Sequence, residues 1–351
     1  MGSTLSQNGV QVRCYGALQE ADLRAEDILS VTKPEVLFHS DFNDAKRKYH
    51  DLAKHWHPDR PNGDSKVFAH ISALYDKALN LIEKGLWDGK AIVTLNLKSG
   101  VGYEVSYIAR KDFELGQCYI GTNHVTYRIG KDHLDLICNV TSAFKAYTFK
   151  SDKIRKEVTR YLPMEAKTYT LDSGEVLLAV PKPQEMLRLR DVLNHFSGSL
   201  DVRHVAWILN TLFNLTCYLS HTKLVHNDIS LDTYFIDPKQ HSGALLGGWW
   251  YTCPLGSQIK KLPKRTFDLL PWRVRTDKKA VAAIDLELVR AVGREMLPAS
   301  ADAAVSSWLK DVNLKATAVE TYRSWGDMLK KVYGPRNFIA LKVSSKDIYN
   351  T

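Results

Sequence analysis

Two amphipathic segments separated by a helix-breaking stretch constrain the fold of this chain most strongly. In the first segment, apolar residues recur at the three- and four-residue spacing of one helix face, at Phe42, Ala45, Tyr49, Leu52, Ala53 and Trp56. The second segment repeats the spacing at Phe68, Ile71, Tyr75, Ala78 and Ile82. Between them, HPDRPNGD contains two prolines and a glycine, which end the first helix. The sequence therefore predicts an antiparallel helix pair with an exposed corner at His57, Pro58 and Asp59.

This predicted pair resembles a J-domain, the DnaJ-type module, over residues 34–88. The family patterns are Tyr-x-x-Leu-Ala-x-x-aromatic-His-Pro-Asp in the second helix and Phe-x-x-Ile-x-x-small-Tyr in the third. The matching residues are Tyr49, Leu52, Ala53, Trp56, His57, Pro58, Asp59, Phe68, Ile71 and Tyr75. Leu74 stands where alanine is usual. The alternative is an ordinary helical hairpin in which His-Pro-Asp occurs by chance.

The resemblance implies that the module binds a DnaK-type chaperone and stimulates its ATPase. The residues implied to contact that chaperone are Lys46, Arg47, Lys48, His57, Pro58 and Asp59. Attraction between a basic helix face and an acidic partner mainly raises the association rate. Because no Gly/Phe-rich linker and no zinc-binding cysteine repeat follow, the resemblance does not extend to a general DnaJ holdase. We therefore expect another part of the chain to bind an unidentified protein client or complex.

The remainder of the chain changes from a β-rich to an α-rich pattern. Short runs of Val, Ile, Tyr and Thr with glycine breaks predict strands at TLNLKSG, YEVSYIAR, QCYIG, HVTYRIG and LDLICNV. A hairpin is predicted around residues 172–174, and from Arg188 onward the pattern is helical. A β-rich half followed by an α-rich half predicts a two-lobed α+β domain, so the whole chain is expected to be a multidomain α+β protein.

The stretch LVHNDISLDTYFID resembles the catalytic loop of protein kinases, whose pattern is H-R-D-L-x-x-x-N. His226 and Asp228 match the His and Asp of that pattern, and Thr233 takes the position of its metal-binding Asn. The resemblance implies a kinase-like N-lobe over residues 89–185 and a C-lobe over residues 186–351.

Several charged groups that phosphoryl transfer requires are missing from the positions where the resemblance places them. The stretch ICNV puts Asn139 at the place of the third-strand lysine, and Glu157 is then the candidate for the helix glutamate that would pair with it. Gly247 or Gly248, depending on the register, replaces the aspartate of D-F-G. We therefore interpret this domain as a pseudokinase with no catalytic residues, no metal and no cofactor. We also expect the aromatic residues 249–251 to fill the nucleotide cleft.

Two other interpretations stay open at this point. An atypical active kinase would use Asp228 with unconventional metal ligands. A nucleic-acid or assembly-binding protein would use residues 257–280, which contain eight Lys or Arg against two Asp and thus six of the nine excess positive charges. The ordinary explanation of that stretch is a solvated basic loop, and nucleic acid is accordingly not the expected partner.

The cysteine content predicts a reducing compartment, and therefore the cytoplasm. The five cysteines are scattered without a CxxC pair, which argues against structural zinc and against a disulfide framework. No run of about 20 apolar residues predicts a membrane span, so no membrane partner is expected. Residues 1–33 form an N-terminal arm to which the sequence assigns no function.

Overall fold

A computed structural model describes residues 24–39, 41–61, 63–83, 91–335 and 339–349. The chain divides into two compact units, Met1–Ile108 with the last two residues, and Ala109–Tyr349. The predicted boundary between residues 88 and 89 lies outside the described residues, and the division between the compact units follows further along the chain. Most of the N-terminal arm lies outside them too.

In its described residues, the first unit contains three α-helices and a two-stranded antiparallel hairpin. These elements are α1 (Ala25–Leu29), α2 (Phe42–Trp56), α3 (Ser65–Glu83), β1 (Ala91–Asn96) and β2 (Gly102–Tyr107). The buried core of the helices consists of Ile28, Val31, Leu37, Phe38, Ala45, Leu52, Trp56, Val67, Ile71, Leu74 and Ala78. Since Ile28 and Val31 belong to it, the packed structure begins upstream of residue 34. The β1–β2 hairpin was expected in the kinase-like N-lobe but belongs to this first unit.

Helices α2 and α3 occur where the apolar spacing predicts helices, and they run antiparallel. Tyr49 stacks on Tyr75 with ring centroids 4.2 Å apart, and near the turn the Asp64 amide donates to the Trp56 carbonyl at 3.3 Å. Phe42 departs from the predicted apolar face, because almost half of its side chain is exposed at the start of α2.

Side-chain caps begin both helices. Asp41 accepts a hydrogen bond from the Asp44 amide at 2.9 Å and caps α2. The Asp64 carboxylate accepts from the amides of Lys66 and Val67 at 2.8 and 3.1 Å, in the first turn of α3. Each carboxylate satisfies amide groups that have no partner within the helix, which is the usual reason for Asp at this position.

The second unit begins with a five-stranded antiparallel sheet. Its strands are β3 (Ala109–Phe113), β4 (Gly116–Ile120), β5 (His124–Ile129), β6 (Lys167–Thr170) and β7 (Val176–Pro181), in the order β3-β4-β5-β7-β6. The hairpin predicted around residues 172–174 is confirmed, since Thr170 pairs with Val176 across the turn. Strand β7 is buried from Val176 to Val180 and so forms the centre of this half.

Two helices connect β5 to β6, namely α4 (Ile137–Lys145) and α5 (Asp152–Val158). The predicted strand LDLICNV is therefore wrong, because its residues form a 3-10 turn followed by the start of α4. The buried residues Leu136, Val140 and Ala143 follow one another at intervals of four and three, which is helical spacing.

The rest of the second unit is mainly helical. Its helices are α6 (Leu189–His195), α7 (Val202–His221), α8 (Lys264–Leu269), α9 (Trp272–Asp277), α10 (Ala282–Met296), α11 (Ala303–Lys310), α12 (Ala318–Tyr333) and α13 (Ser345–Tyr349). Short strands β8 (Leu187–Arg188), β9 (Leu224–Val225), β10 (Tyr234–Asp237), β11 (Ser242–Leu245) and β12 (Cys253–Pro254) pair around the loop 226–233. Helices α7 and α10 pack closely, since a Cβ atom on Gly293 would lie 2.7 Å from Leu209.

None of the helices in the described part of the chain has the length and apolar character needed to cross a membrane.

Candidate functional site

The His-Pro-Asp corner, residues His57–Asp59, lies where α2 ends. The His57 amide still donates to the Ala53 carbonyl at 3.0 Å, but the φ and ψ of His57 are extended, so the helix stops there. Pro58 and Asp59 are exposed. The His57 Nδ1 atom lies 3.3 Å from the Asp59 amide nitrogen and 3.5 Å from its carboxylate, and the ring also contacts Phe68 of α3 at 5.0 Å. The corner is therefore accessible to a partner and held in one local conformation.

Gly63 is required for the turn that supports this corner. The Arg60 amide donates to the His57 carbonyl at 2.9 Å, and the Gly63 amide donates to the Arg60 carbonyl at 2.9 Å. A Cβ atom on Gly63 would overlap the His57 carbonyl oxygen and lie 2.7 Å from its carbonyl carbon. Only a residue without a side chain allows these two backbone segments to approach so closely.

A basic face of α2 adjoins the corner. Lys46, Arg47 and Lys54 are exposed, whereas Lys48 is partly buried. With His50, and with His57 and Asp59 of the corner, the three exposed cations line a shallow surface hollow of about 930 Å³. Arg47 forms an ion pair with the buried Asp44 at 2.7 Å, which holds its guanidinium on this face. The arrangement suits a partner with an acidic surface, although salt weakens such exposed attractions.

In the second unit, the loop 226–233 is anchored by a buried carboxylate from α10. Asp285 accepts hydrogen bonds from the amides of His226 and Asn227 at 2.8 and 2.9 Å. Asn227 adopts a left-handed conformation with φ of 67°, and its side-chain amide donates to the Tyr251 carbonyl at 2.9 Å. Asn227 thus makes a structural contact to the segment that follows β11.

Burial shifts the pKa values of His226 and Asp228 in this loop. Burial lowers the pKa of His226 to about 3, so the imidazole is neutral, and its Nδ1 accepts from the Asp228 amide at 3.2 Å. Desolvation raises the pKa of Asp228 well above its usual range, although the nearby Arg265 opposes this effect. Thr233 donates to the Asp228 carbonyl at 2.7 Å, so its hydroxyl closes the loop rather than pointing to a ligand.

The structure places a tyrosine, not Asn139, on the third strand of the sheet at the cleft. Tyr127 of β5 is buried, and its ring contacts Trp250 at 4.8 Å. Asn139 instead lies on α4, where its side-chain amide donates to the Trp250 carbonyl at 2.8 Å. The assignment of Asn139 to the third strand is therefore wrong, since the chain has already left the sheet after Ile129.

Glu157 lies on α5 with an exposed side chain. It accepts a hydrogen bond from the Tyr161 hydroxyl at 2.9 Å and pairs with Arg160 at 3.7 Å. Both contacts are local, and the helix that directly follows the third strand is α4. The structure therefore does not bring Glu157 to the loop 226–233.

Gly247 and Gly248 lie at the bottom of the cleft, and neither position has room for a side chain. A Cβ atom on Gly247 would lie 2.6 Å from the Tyr127 hydroxyl and 3.3 Å from Thr233. On Gly248, which has φ of +82°, it would lie 2.6 Å from the His226 ring and 2.9 Å from the Asp228 carboxylate. Whichever of these two glycines stands at the position of the D-F-G aspartate, the space that a metal-binding aspartate would need there is therefore occupied.

The aromatic residues Trp249, Trp250 and Tyr251 form a buried 3-10 turn. Trp250 packs against Tyr127 of β5 and also against Phe113 at 5.4 Å, at the end of β3. Trp249 contacts His226 edge-on at 4.6 Å. These rings thus extend from His226 in the loop 226–233 to strands β3 and β5 of the sheet.

A lysine in the segment after β7 is buried, which the sequence did not predict. The Lys182 ammonium donates to the carbonyls of Pro183, Gln184 and Met186 at 3.0–3.1 Å, and burial lowers its pKa to about 8. These three carbonyls are therefore already engaged by the chain itself. The only available signal was a lysine between two prolines, which does not specify burial.

Sequence comparisons give no relative for this chain: no family model matches it, and no curated protein does. Solved structures do match in fold. A structure described as that of vaccinia related kinase 3 aligns with a TM-score of 0.51 and 13% identity, covering 70% of this chain and 92% of that one. At this identity the likeness concerns the fold alone. The larger part of the chain thus has a protein-kinase-like fold of mixed α+β class.

Proposed function

We propose that this chain is a J-domain co-chaperone or adaptor with a catalytically inactive kinase-like body. The observation that carries the proposal is the His-Pro-Asp corner, exposed between two packed helices and adjoining the basic face of α2. The corner and this face would bind a DnaK-type chaperone and stimulate its ATPase. The kinase-like unit would bind a protein client or complex.

The proposal of an inactive body rests on the groups that line the cleft. Tyr127 cannot supply the positive charge of the third-strand lysine. Thr233 and the two glycines supply no carboxylate for Mg²⁺, and Trp250 takes up space next to them. Asp228 would then have no metal-bound nucleotide to act on.

The co-chaperone activity is tested with the steady-state ATPase rate of a DnaK-type chaperone. We expect the full chain to stimulate it, and His57→Gln and Asp59→Asn to abolish the stimulation. His55→Gln is a matched control, since His55 precedes the corner by two residues and does not line the hollow beside it. Stimulation by His57→Gln equal to that by the unmodified protein would contradict the proposal.

The inactive body is tested separately, with the protein alone. We expect Mg²⁺-ATP to leave its melting temperature unchanged, and no phosphate to be released from ATP. ATP turnover that disappears in an Asp228→Asn variant would instead identify an atypical active kinase.

A further inference from the structure

Residues 256–280, here called the excursion, form a segment of the second unit whose two ends are joined by backbone hydrogen bonds. The Gly256 amide donates to the Ala280 carbonyl and the Ile259 amide to the Lys278 carbonyl, both at 2.7 Å. Helices α8 and α9 lie between these closing contacts. The excursion is therefore a compact structure and not an open loop.

Two arginines of this segment make contacts within the chain that hold the segment in place. Arg265 forms an ion pair with Glu295 of α10. Arg275 donates to the Leu270 carbonyl at 2.5 Å, and its guanidinium lies 5.2 Å from the centre of the Phe267 ring. Because these contacts are already made within the chain, the outer surface of the excursion is preorganised for binding.

The outer surface combines positive charge with exposed aromatic rings. Its exposed cations are Lys260, Lys264, Arg273, Lys278 and Lys279. Within the part of the chain that the structure describes, none of the five forms a salt bridge. Trp272 is 77% exposed and Phe267 45% exposed, so the Trp272 ring is open to a ligand and the Phe267 ring is open on the side that Arg275 does not cover.

We propose that this basic-aromatic surface, formed by these seven side chains, binds single-stranded nucleic acid. Lysines as point charges suit a phosphate backbone, and an open tryptophan ring stacks on a base without regard to sequence. Four of the five cations are lysines, which are depleted from protein–protein interfaces. The inference does not depend on the proposed chaperone activity.

An anionic membrane surface is less well matched. Interfacial helices that bind membranes carry a broad apolar face. Here α8 and α9 have six residues each, and Arg275 lies over one side of the Phe267 ring. The exposed apolar area is thus confined to two separate rings.

The test is fluorescence anisotropy of a labelled oligothymidine of about 20 nucleotides, titrated with the full chain between about 25 and 200 mM salt. Trp272→Ala should weaken binding by roughly ten- to a hundred-fold, the effect of losing one stacked base, whereas Trp272→Phe should keep most of the affinity. Since the Trp272 side chain is exposed, neither variant should change the melting temperature.

The contribution of the exposed cations is tested by measuring how the oligonucleotide affinity depends on salt concentration. Each phosphate contact contributes about 0.7 to the slope of log affinity against log salt for single strands, so replacing Lys278 and Lys279 by alanine should reduce the slope by about 1.4. Lys330→Ala with Lys331→Ala, an exposed pair on α12, should leave it unchanged. Absence of binding at the lowest salt, or binding indifferent to Trp272→Ala, overturns the proposal. Binding to anionic phospholipid vesicles or to polyglutamate but not to the oligonucleotide overturns it too.

Discussion

Replacing Gly63 by alanine should disrupt the turn that holds the His-Pro-Asp corner. The added Cβ would overlap the His57 carbonyl oxygen and lie 3.0 Å from the Arg60 carbonyl oxygen. Both obstacles are backbone atoms, so no side-chain rotation can relieve the clash. Moving Gly63 away weakens two turn hydrogen bonds, each contributing about 1 kcal/mol, and the remaining overpacking costs about 1 kcal/mol or more. We therefore expect the helix pair to lose about 3 kcal/mol of stability.

Hydrogen–deuterium exchange on peptides from residues 42–83 measures this loss directly. A decrease of about 3 kcal/mol corresponds to roughly 150-fold faster exchange of the most protected amides. Gly326→Ala is the matched control: nothing lies within 4 Å of its Cβ position, and alanine favours helix α12 by about 0.5–1 kcal/mol. Exchange in α2 and α3 that stays within about threefold of the unmodified protein after Gly63→Ala would refute the reasoning.

Three further predictions concern the second unit, measured by calorimetry or denaturant unfolding. Trp250→Ala should cost about 3–5 kcal/mol because its buried ring packs on Tyr127, and a loss below about 1 kcal/mol would contradict the cleft-filling interpretation. Asp285→Asn should cost about 2–3 kcal/mol, since an amide nitrogen would face one of two backbone N–H donors; unchanged stability would argue against the anchor. Acidification from about pH 7 to pH 5 should cost about 2 kcal/mol through His226, because the unfolded imidazole binds a proton below its pKa of about 6.5 whereas the folded one does so only near 3. His226→Gln should remove this part of the pH dependence, and identical pH profiles would disprove the assignment.

Local patterns predicted the elements that depend on local chemistry. The apolar spacing around Leu52 and Ile71 fixed the faces of α2 and α3, and Pro58 marked the break between them. The kinase-like fold followed from the change from strands to helices together with the loop around Asp228. The helix spacing and the loop around Asp228 are each contained within a short stretch, and the change from strands to helices is a succession of such local patterns.

The failures concern residues whose role depends on distant partners. Ile137 and Val140 favour strands, which concealed the helical spacing of α4 and put Asn139 on the wrong element. Tyr127 is an ordinary strand residue by sequence, and only its contact with Trp250 places it in the cleft. Lys182 is buried because the chain turns three carbonyls toward its ammonium, an arrangement that no spacing encodes.

The burial of Trp250 against the sheet has a consequence for how the second unit depends on its surroundings. A dissociable ligand that fills a cleft stabilises the folded state by mass action, so its contribution rises and falls with the ligand concentration. Trp250 is covalently part of the chain, so its packing contribution does not depend on the concentration of any ligand. If the cleft binds no nucleotide, as proposed above, the stability of the second unit does not depend on the ATP concentration around it.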